Sequence, residues 1–344
     1  MDRYLWLMLT GEPRRFRVIE NIIRNKRTQA NLFWGLNYHL LNWLGSDLRL
    51  TSQEFNQWLV YQHQRGLLNI DSNFGWLTSQ GEELKKTLAQ TLYQPHNSQW
   101  SWLINSYKFA DRFLLAVQAA SELVHHHRNY VPLNISGTEM IIVRKWLTHL
   151  TNPMMIETEL QELGQNLAKQ DKRLAIGFAK RLLGYQTVGW TTIQAQQELD
   201  LSEEEVRILN WDIWLGVASQ LKMQPQTNLG RLMEDLIAKA PISNSAFQTL
   251  EDFRQGQTME QIAHQRQLKI STVREHLLEA AIIVPRMLDW QRLLPIKQEQ
   301  QIRHHYHGPV ATWRFKRTGS DPATDFFTFR LCQIKEFQEN DGAI

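Results

Sequence analysis

Residues 246–281 read AFQTLEDFRQGQTMEQIAHQRQLKISTVREHLLEAA, three short helical patterns with punctuation between them. Phe247, Leu250 and Phe253 lie three apart, the spacing of one helix face. Gly256 stops that helix, because glycine accepts positive φ without cost. Thr258 and Gln261 stand at capping-box spacing, which predicts a second helix from Met259 with Ile262 and Ala263 inward. Leu268 closes a turn, and Ser271 is placed to cap a third helix from Thr272 to about Ala281, with Val273, Leu277 and Leu278 as its buried stripe. This is the order of a helix-turn-helix. When that motif is used on DNA, its third helix enters the major groove. The tight turn usually carries glycine, but here it carries Gln267. The backbone must therefore avoid the left-handed region or accept some strain.

The predicted groove-facing residues are Lys269, Ser271, Thr272, Arg274 and Glu275. The bases of the stretch are Arg254, Arg266, Lys269 and Arg274. The acids are Glu251, Asp252, Glu260, Glu275 and Glu279, so the unit is slightly acidic. A DNA reader draws much of its affinity from neutralising phosphates. A small helical packing or protein-docking module therefore stays open beside DNA binding.

Beyond Pro285 the character changes. Arg286, Arg292, Lys297, Arg303, Arg314, Lys316 and Arg317 stand against only Asp289 and Glu299 in residues 286–317. Trp290, Tyr306, Trp313 and Phe315 are interleaved. Such a stretch can follow a single strand, its rings stacking on bases while cations meet phosphates, or it can be an ordinary basic tail. Arg303, Arg314, Lys316 and Arg317 are the candidate phosphate contacts. For 324–337 periodicity does not decide between strand and helix.

Upstream, residues 95–240 read as nearly all helix, over 99–126, 138–149, 153–168, 171–184, 191–199, 203–223 and 228–239. The segment 191–214 repeats the helix-turn-helix rhythm. Its second helix opens on Glu203-Glu204-Glu205, which would repel phosphates, so we read it as structural. Near the start, 14–27 reads as a basic amphipathic helix with Phe16, Ile19, Ile22 and Ile23 inward. Its Arg14, Arg15, Arg17, Arg24, Lys26 and Arg27 suit phosphate contact or a plain solvated face. After helical patterns at 28–44 and 52–65, Leu67–Ile70 and Trp76-Leu77 read as strands about a turn at 71–75, and a helix follows Gly81. Helix, helix, strand, turn, strand, helix is a winged-helix layout. The expected fold is therefore mainly α: a winged-helix-like domain (1–94), a helical middle (95–240) and a helix-turn-helix domain with a basic tail (241–344).

The chain has 344 residues, 42% of them hydrophobic, enough for two or three cores. The net charge of +3 exerts no global pull on nucleic acid. The 13 Trp, many beside Leu at helical spacing, read as core or interface anchors. The lone Cys332 excludes an internal disulfide and a multi-cysteine zinc site, and fits a reducing cytoplasm. No signal peptide and no membrane span is expected. There is no phosphate-cradling glycine loop, so no helicase motor, and no nucleophile elbow or zinc-protease pair. His125-His126-His127 and His304-His305-Tyr306-His307 read as non-metal clusters. In the first, consecutive helical residues point about 100° apart and cannot converge on one ion; the second could supply ligands only in an extended form and has no nearby Cys or clear acid partner. No catalytic residue, cofactor or metal is expected.

Residues 246–297 resemble the helicase-associated helix-turn-helix domain at the C-terminus of some RecQ-type helicases. The resemblance rests on Phe253, Gly256, Thr258-Met259-Glu260-Gln261-Ile262-Ala263, Leu268-Lys269-Ile270-Ser271-Thr272-Val273, His276-Leu277 and Leu294-Pro295-Ile296-Lys297. The N-terminal part resembles the stand-alone YpbB-like proteins of Gram-positive bacteria, on 19–45, Arg65-Gly66-Leu67-Leu68, Leu77-Thr78 and Gly81. These resemblances imply a non-enzymatic, cytoplasmic accessory of a RecQ-type helicase in DNA repair or recombination. Its partners would be that helicase and DNA, single-stranded or forked. A sequence-specific transcription regulator, or an adaptor that touches no DNA, are the alternatives.

Overall fold

The computed structural model describes residues 1–316 and 322–340. The chain is predominantly helical, with one small sheet among the described residues. It divides into two compact units, each drawn from separate parts of the sequence. The first holds Met1–Arg15 and Asn42–Ala238; the second holds Phe16–Leu41 and the chain from Lys239 on. Helices are numbered along the chain.

In the first unit, α1 (Asp2–Met8) leads to the strand β1 (Arg14–Arg15). Helix α4 (Ser52–Gln64) follows, started by a reciprocal Thr51–Glu54 capping box. Strands β2 (Leu68–Asp71) and β3 (Phe74–Leu77) form the expected hairpin, Leu68 opposite Leu77 and Asp71 opposite Phe74. Ser72 takes φ 50° in its turn. The antiparallel order is β1-β3-β2. Arg14 and Arg15 are thus strand residues paired with Gly75 and Phe74, and the helix read over 14–27 begins only at Phe16. Helix α5 (Ser79–Thr91) starts so close to the Leu67 carbonyl that only glycine fits at Gly81.

The helical middle is α6 (Ser106–Val124), α7 (Gly137–Thr148), α8 (Met155–Gln170), α9 (Lys172–Arg181), α10 (Thr192–Leu199), α11 (Glu203–Met223) and α12 (Asn228–Met233). Five of these follow the predicted segments to within about three residues at each end, whereas α6 begins seven residues after 99 and α12 stops at Met233. Between Ile208 and Ala218 every residue of helix α11 except Asn210 is buried, with Leu209, Trp211, Ile213, Trp214 and Val217 in the core. Its Asp212 is fully buried and accepts three hydrogen bonds, from Tyr93 Oη (2.5 Å) and the amides of His96 and Asn97 (2.7 Å each). Arg112 of α6, also fully buried, is held by Glu139, Asp235 and the Leu232 carbonyl. Buried charges survive only with such pairing. The Tyr93 amide also bonds Glu205 (3.0 Å), so the sequence boundary at 94/95 runs through a single packed unit.

The second unit contains α2 (Phe16–Ile23), α3 (Gln29–Asn37), α13 (Asn244–Arg254), α14 (Met259–Gln265), α15 (Ile270–Ile283), α16 (Trp290–Leu293), α17 (Ile296–His305) and α18 (Pro322–Asn340). The segment left undecided at 324–337 is helical. Residues 16–41 belong here, contrary to the three-part division at 1–94, 95–240 and 241–344. Phe33 packs on Phe337 (5.8 Å between centroids), and the Arg330 guanidinium lies 3.6 Å from the Phe33 ring centre. Arg27 donates to the Pro241 carbonyl and pairs with Glu279 (3.5 Å). Phe16, Ile19, Ile22 and Ile23 are buried as read. Arg17 and Arg24, however, both bind the buried carboxylate of Glu20, at 2.6 and 2.8 Å. Among the described residues no helix is long and apolar enough to cross a membrane.

Candidate nucleic-acid interface

Helices α13, α14 and α15 form the predicted tri-helical unit. Gly256 takes φ 98° after α13. The capping box is present: the Gln261 amide donates to Thr258 Oγ1 (3.2 Å) and the Thr258 amide to Gln261 Oε1 (2.8 Å). In the tight turn Gln267 adopts φ 53°, so the backbone takes the strained option. A non-glycine residue pays about 1–2 kcal/mol there. Helix α15 starts two residues before the predicted Thr272. Lys269 is its N-cap with no side-chain cap, and Ser271 sits inside the first turn.

Most of the bases in this unit are spent on its own architecture. Arg266 donates to the Ser245 carbonyl (3.0 Å) and to Thr249 Oγ1, locking α14 to α13. Thr249 Oγ1 lies 2.8 Å from His276 Nδ1. Burial, and next the Arg266 charge, hold the His276 imidazole below its ordinary value. Arg292 lies 4.1 Å from the Phe253 ring centre and donates to the carbonyls of Phe253 (2.5 Å), Gly256 (2.9 Å) and Gln257. It clamps the α13–α14 turn. The sequence reading had counted Arg292 merely as tail charge.

The eight candidate residues separate into groups. Lys269 and Ser271 are exposed and Thr272 half-buried, all on the opening turn of α15. Arg274 is half-buried, its guanidinium 6.0 Å from the Phe327 ring centre of α18, so it faces a neighbouring helix. Arg303 binds Glu299, Glu336 and Glu339, each at 2.8 Å, and stitches α17 to α18. Three carboxylates leave it little charge to offer a phosphate. Arg314 and Lys316 are exposed on the segment before the undescribed stretch. Arg317 lies outside the described residues. Helix α15 packs against α13, α14, α18 and α3. Its open flank beyond the first turn presents Glu275. Beside it a cavity of about 620 Å³ is lined by Arg27, Thr28 and Gln29 at the start of α3 and by Glu275, His276 and Glu279.

One feature of the tail was only half legible. Tyr306 stacks on Trp313 (5.5 Å) and meets Phe329 (4.9 Å), while Phe315 meets Phe326 (5.4 Å) and Phe329 (5.5 Å). The sequence marked Tyr306, Trp313 and Phe315. It missed the α18 rings, because 324–337 had no assigned periodicity. His127 pairs with Glu122 (2.6 Å) and His125 stacks on Tyr185 (4.5 Å). Among the described residues no three His, Cys, Asp or Glu side chains converge as a metal would require. Burial pushes the Cys332 thiol up to about 12.

Residues 245–333 match the family model described as a helix-turn-helix domain. The C-terminal part of this chain is a helix-turn-helix domain. The match extends past α15 because α18 packs on that helix and completes its core with Phe327, Leu331 and Ile334. The chain is also similar to Protein YpbB of Bacillus subtilis (strain 168), 25% identical over 240 residues. That alignment covers 67% of this chain and 66% of the relative, so the chain spans about two thirds of the relative's length. No solved structure matches. The helix-turn-helix domain therefore stands on its sequence family and on its own geometry.

Proposed function

We propose that this protein is a non-enzymatic, cytoplasmic accessory of a RecQ-type DNA helicase, and that its helix-turn-helix domain holds DNA. The observation that carries the reading is the open first turn of α15, where Lys269, Ser271 and Thr272 stand together on a helix otherwise packed into the unit. The turn has no side-chain cap. The Thr272 amide already donates to the Lys269 carbonyl (2.9 Å), so the Ile270 and Ser271 amides are the ones turned to a phosphate oxygen, and Lys269 adds the charge. The family match supports DNA as the ligand class, and the resemblance to YpbB-like proteins supports the helicase context.

The test is a salt series of fluorescence anisotropy on duplex, single-stranded and forked DNA, with and without a RecQ-type helicase. Binding should weaken linearly in log–log form as salt rises, and Lys269→Ala should lower the slope by about one. Arg274→Ala should leave affinity within about two-fold, since that side chain faces Phe327. Absence of any shift at low salt would end the DNA half of the proposal. A second reading is favoured by the acid on α15: an adaptor whose flank with Glu275 docks a protein. Retention of the helicase with no DNA shift would select that reading.

A further inference from the structure

We infer that the aromatic cavity between α17 and α18 receives one unstacked nucleobase of a single-stranded DNA. The inference rests on the proposed DNA binding and adds a second contact, remote in sequence from the α15 turn. The cavity measures about 550 Å³, within the ~300–1,000 Å³ span of small-ligand pockets. Its walls are Tyr306, Phe315 and Phe329. Phe329 is fixed by burial, whereas Tyr306 and Phe315 are half-buried and keep accessible ring surface. Tyr306 is held in place on both sides: Trp313 stacks on its ring, and its hydroxyl accepts the Lys316 amide (2.8 Å). A ring held in this way and left partly accessible offers a fixed surface to an unstacked base, because every base has a π-face to stack.

The polar part of the lining discriminates among ligands. Gln298 and Gln301 bring exposed side-chain amides, each a paired donor and acceptor, as a base edge requires. Asp325 also lines the cavity, and a carboxylate there disfavours a phosphate inside it. Phosphates would instead meet Lys316 at the rim and exposed Arg314 beside it. An apolar peptide would have little use for two amides, a carboxylate and two cations around one ring pocket. A duplex keeps its bases stacked and cannot fill it.

The experiment uses the full-length protein and three probes: a labelled single-stranded oligonucleotide, the same backbone carrying consecutive abasic sites, and a duplex. The single strand should bind about ten-fold more tightly than the abasic strand. Phe315→Ala should remove most of that difference, and Phe315→Leu, which keeps apolar bulk without a stacking face, should remove it too. A 2-aminopurine in the strand should be quenched by the wild type and not by either variant. Equal affinity for the abasic strand, or quenching unchanged in both variants, would overturn the inference. So would displacement of the 2-aminopurine signal by an aromatic peptide better than by free oligonucleotide. Duplex binding, followed in parallel, separates the two claims. If it persists while base dependence is absent, only the pocket assignment fails. If duplex and single-strand binding are both missing, the DNA reading itself fails.

Discussion

The pairs α10–α11 and α14–α15 are assembled from the same local parts. Each begins with a short helix started by a Thr–Gln capping box, Thr191–Gln194 in one and Thr258–Gln261 in the other. Each turns through a left-handed non-glycine residue, Asp200 at φ 54° and Gln267 at φ 53°. Each continues into a long helix. The long helices then diverge. Helix α11 opens on a Ser202–Glu205 box with three acids in its first turn, and its central turns are enclosed. Helix α15 has no side-chain cap and leaves Lys269 and Ser271 in solvent at its start. The motif is therefore a backbone device, and what its second helix does depends on the charge at its start and on what covers it.

The comparison breaks most sharply at Asp212. Asp212→Ala orphans Tyr93 Oη, the buried Asn97 amide and the part-buried His96 amide, and should cost about 3–5 kcal/mol in chemical denaturation. The matching change on the open flank of α15, Glu275→Ala, should fall within about 0.5 kcal/mol. A small loss at Asp212 would deny α11 its anchoring role. Next in size is Arg292→Ala, which frees three carbonyls around the α13–α14 turn. We expect a loss of about 1–2 kcal/mol, read as a lower thermal midpoint.

A third effect depends on pH. Because His276 is held below its ordinary value of 6.5, the unfolded chain takes up a proton on acidification before the folded one does. The stability tied to neutral His276 is thus complete above about pH 6.5 and declines as pH falls through the folded value. Denaturant midpoints at pH 7.5 and 5.5 should differ more for the wild type than for His276→Gln. Equal differences would remove the linkage. The smallest effect concerns the two turns. Gln267→Gly should stabilise by about 0.5–1 kcal/mol, whereas Asp200→Gly should be near neutral, because Asp already tolerates the left-handed region. Equal gains at both sites would blur the distinction.

Features written in neighbouring residues were legible in the sequence. The capping box at Thr258, the stop at Gly256 and the hairpin at 68–77 are all hydrogen-bonded within a few residues. Features that depend on distant partners were hidden. Arg14 and Arg15 become strand only through residues some sixty positions on. Arg303 counts as a cation along the chain, yet Glu336 and Glu339 reach it from α18. Phe327, Phe329 and Leu331 are buried two apart, an alternation that imitates a strand, because α18 is covered on more than one side. That Lys269 and Ser271 are exposed agrees with their predicted outward placement, whereas Arg274 turns toward Phe327, a direction that only tertiary packing decides.

The ring contact between Phe33 and Phe337 has a consequence for synthesis. Phe33 and Leu32, sealed in the finished unit, leave the ribosome some 300 residues before the helix that covers Phe33. At ~5–20 residues per second that is a wait of roughly 15–60 s. Throughout it an apolar hairpin of α2 and α3 stands without its lid while the other unit is free to fold. Only when α18 is made can Phe337 close over Phe33.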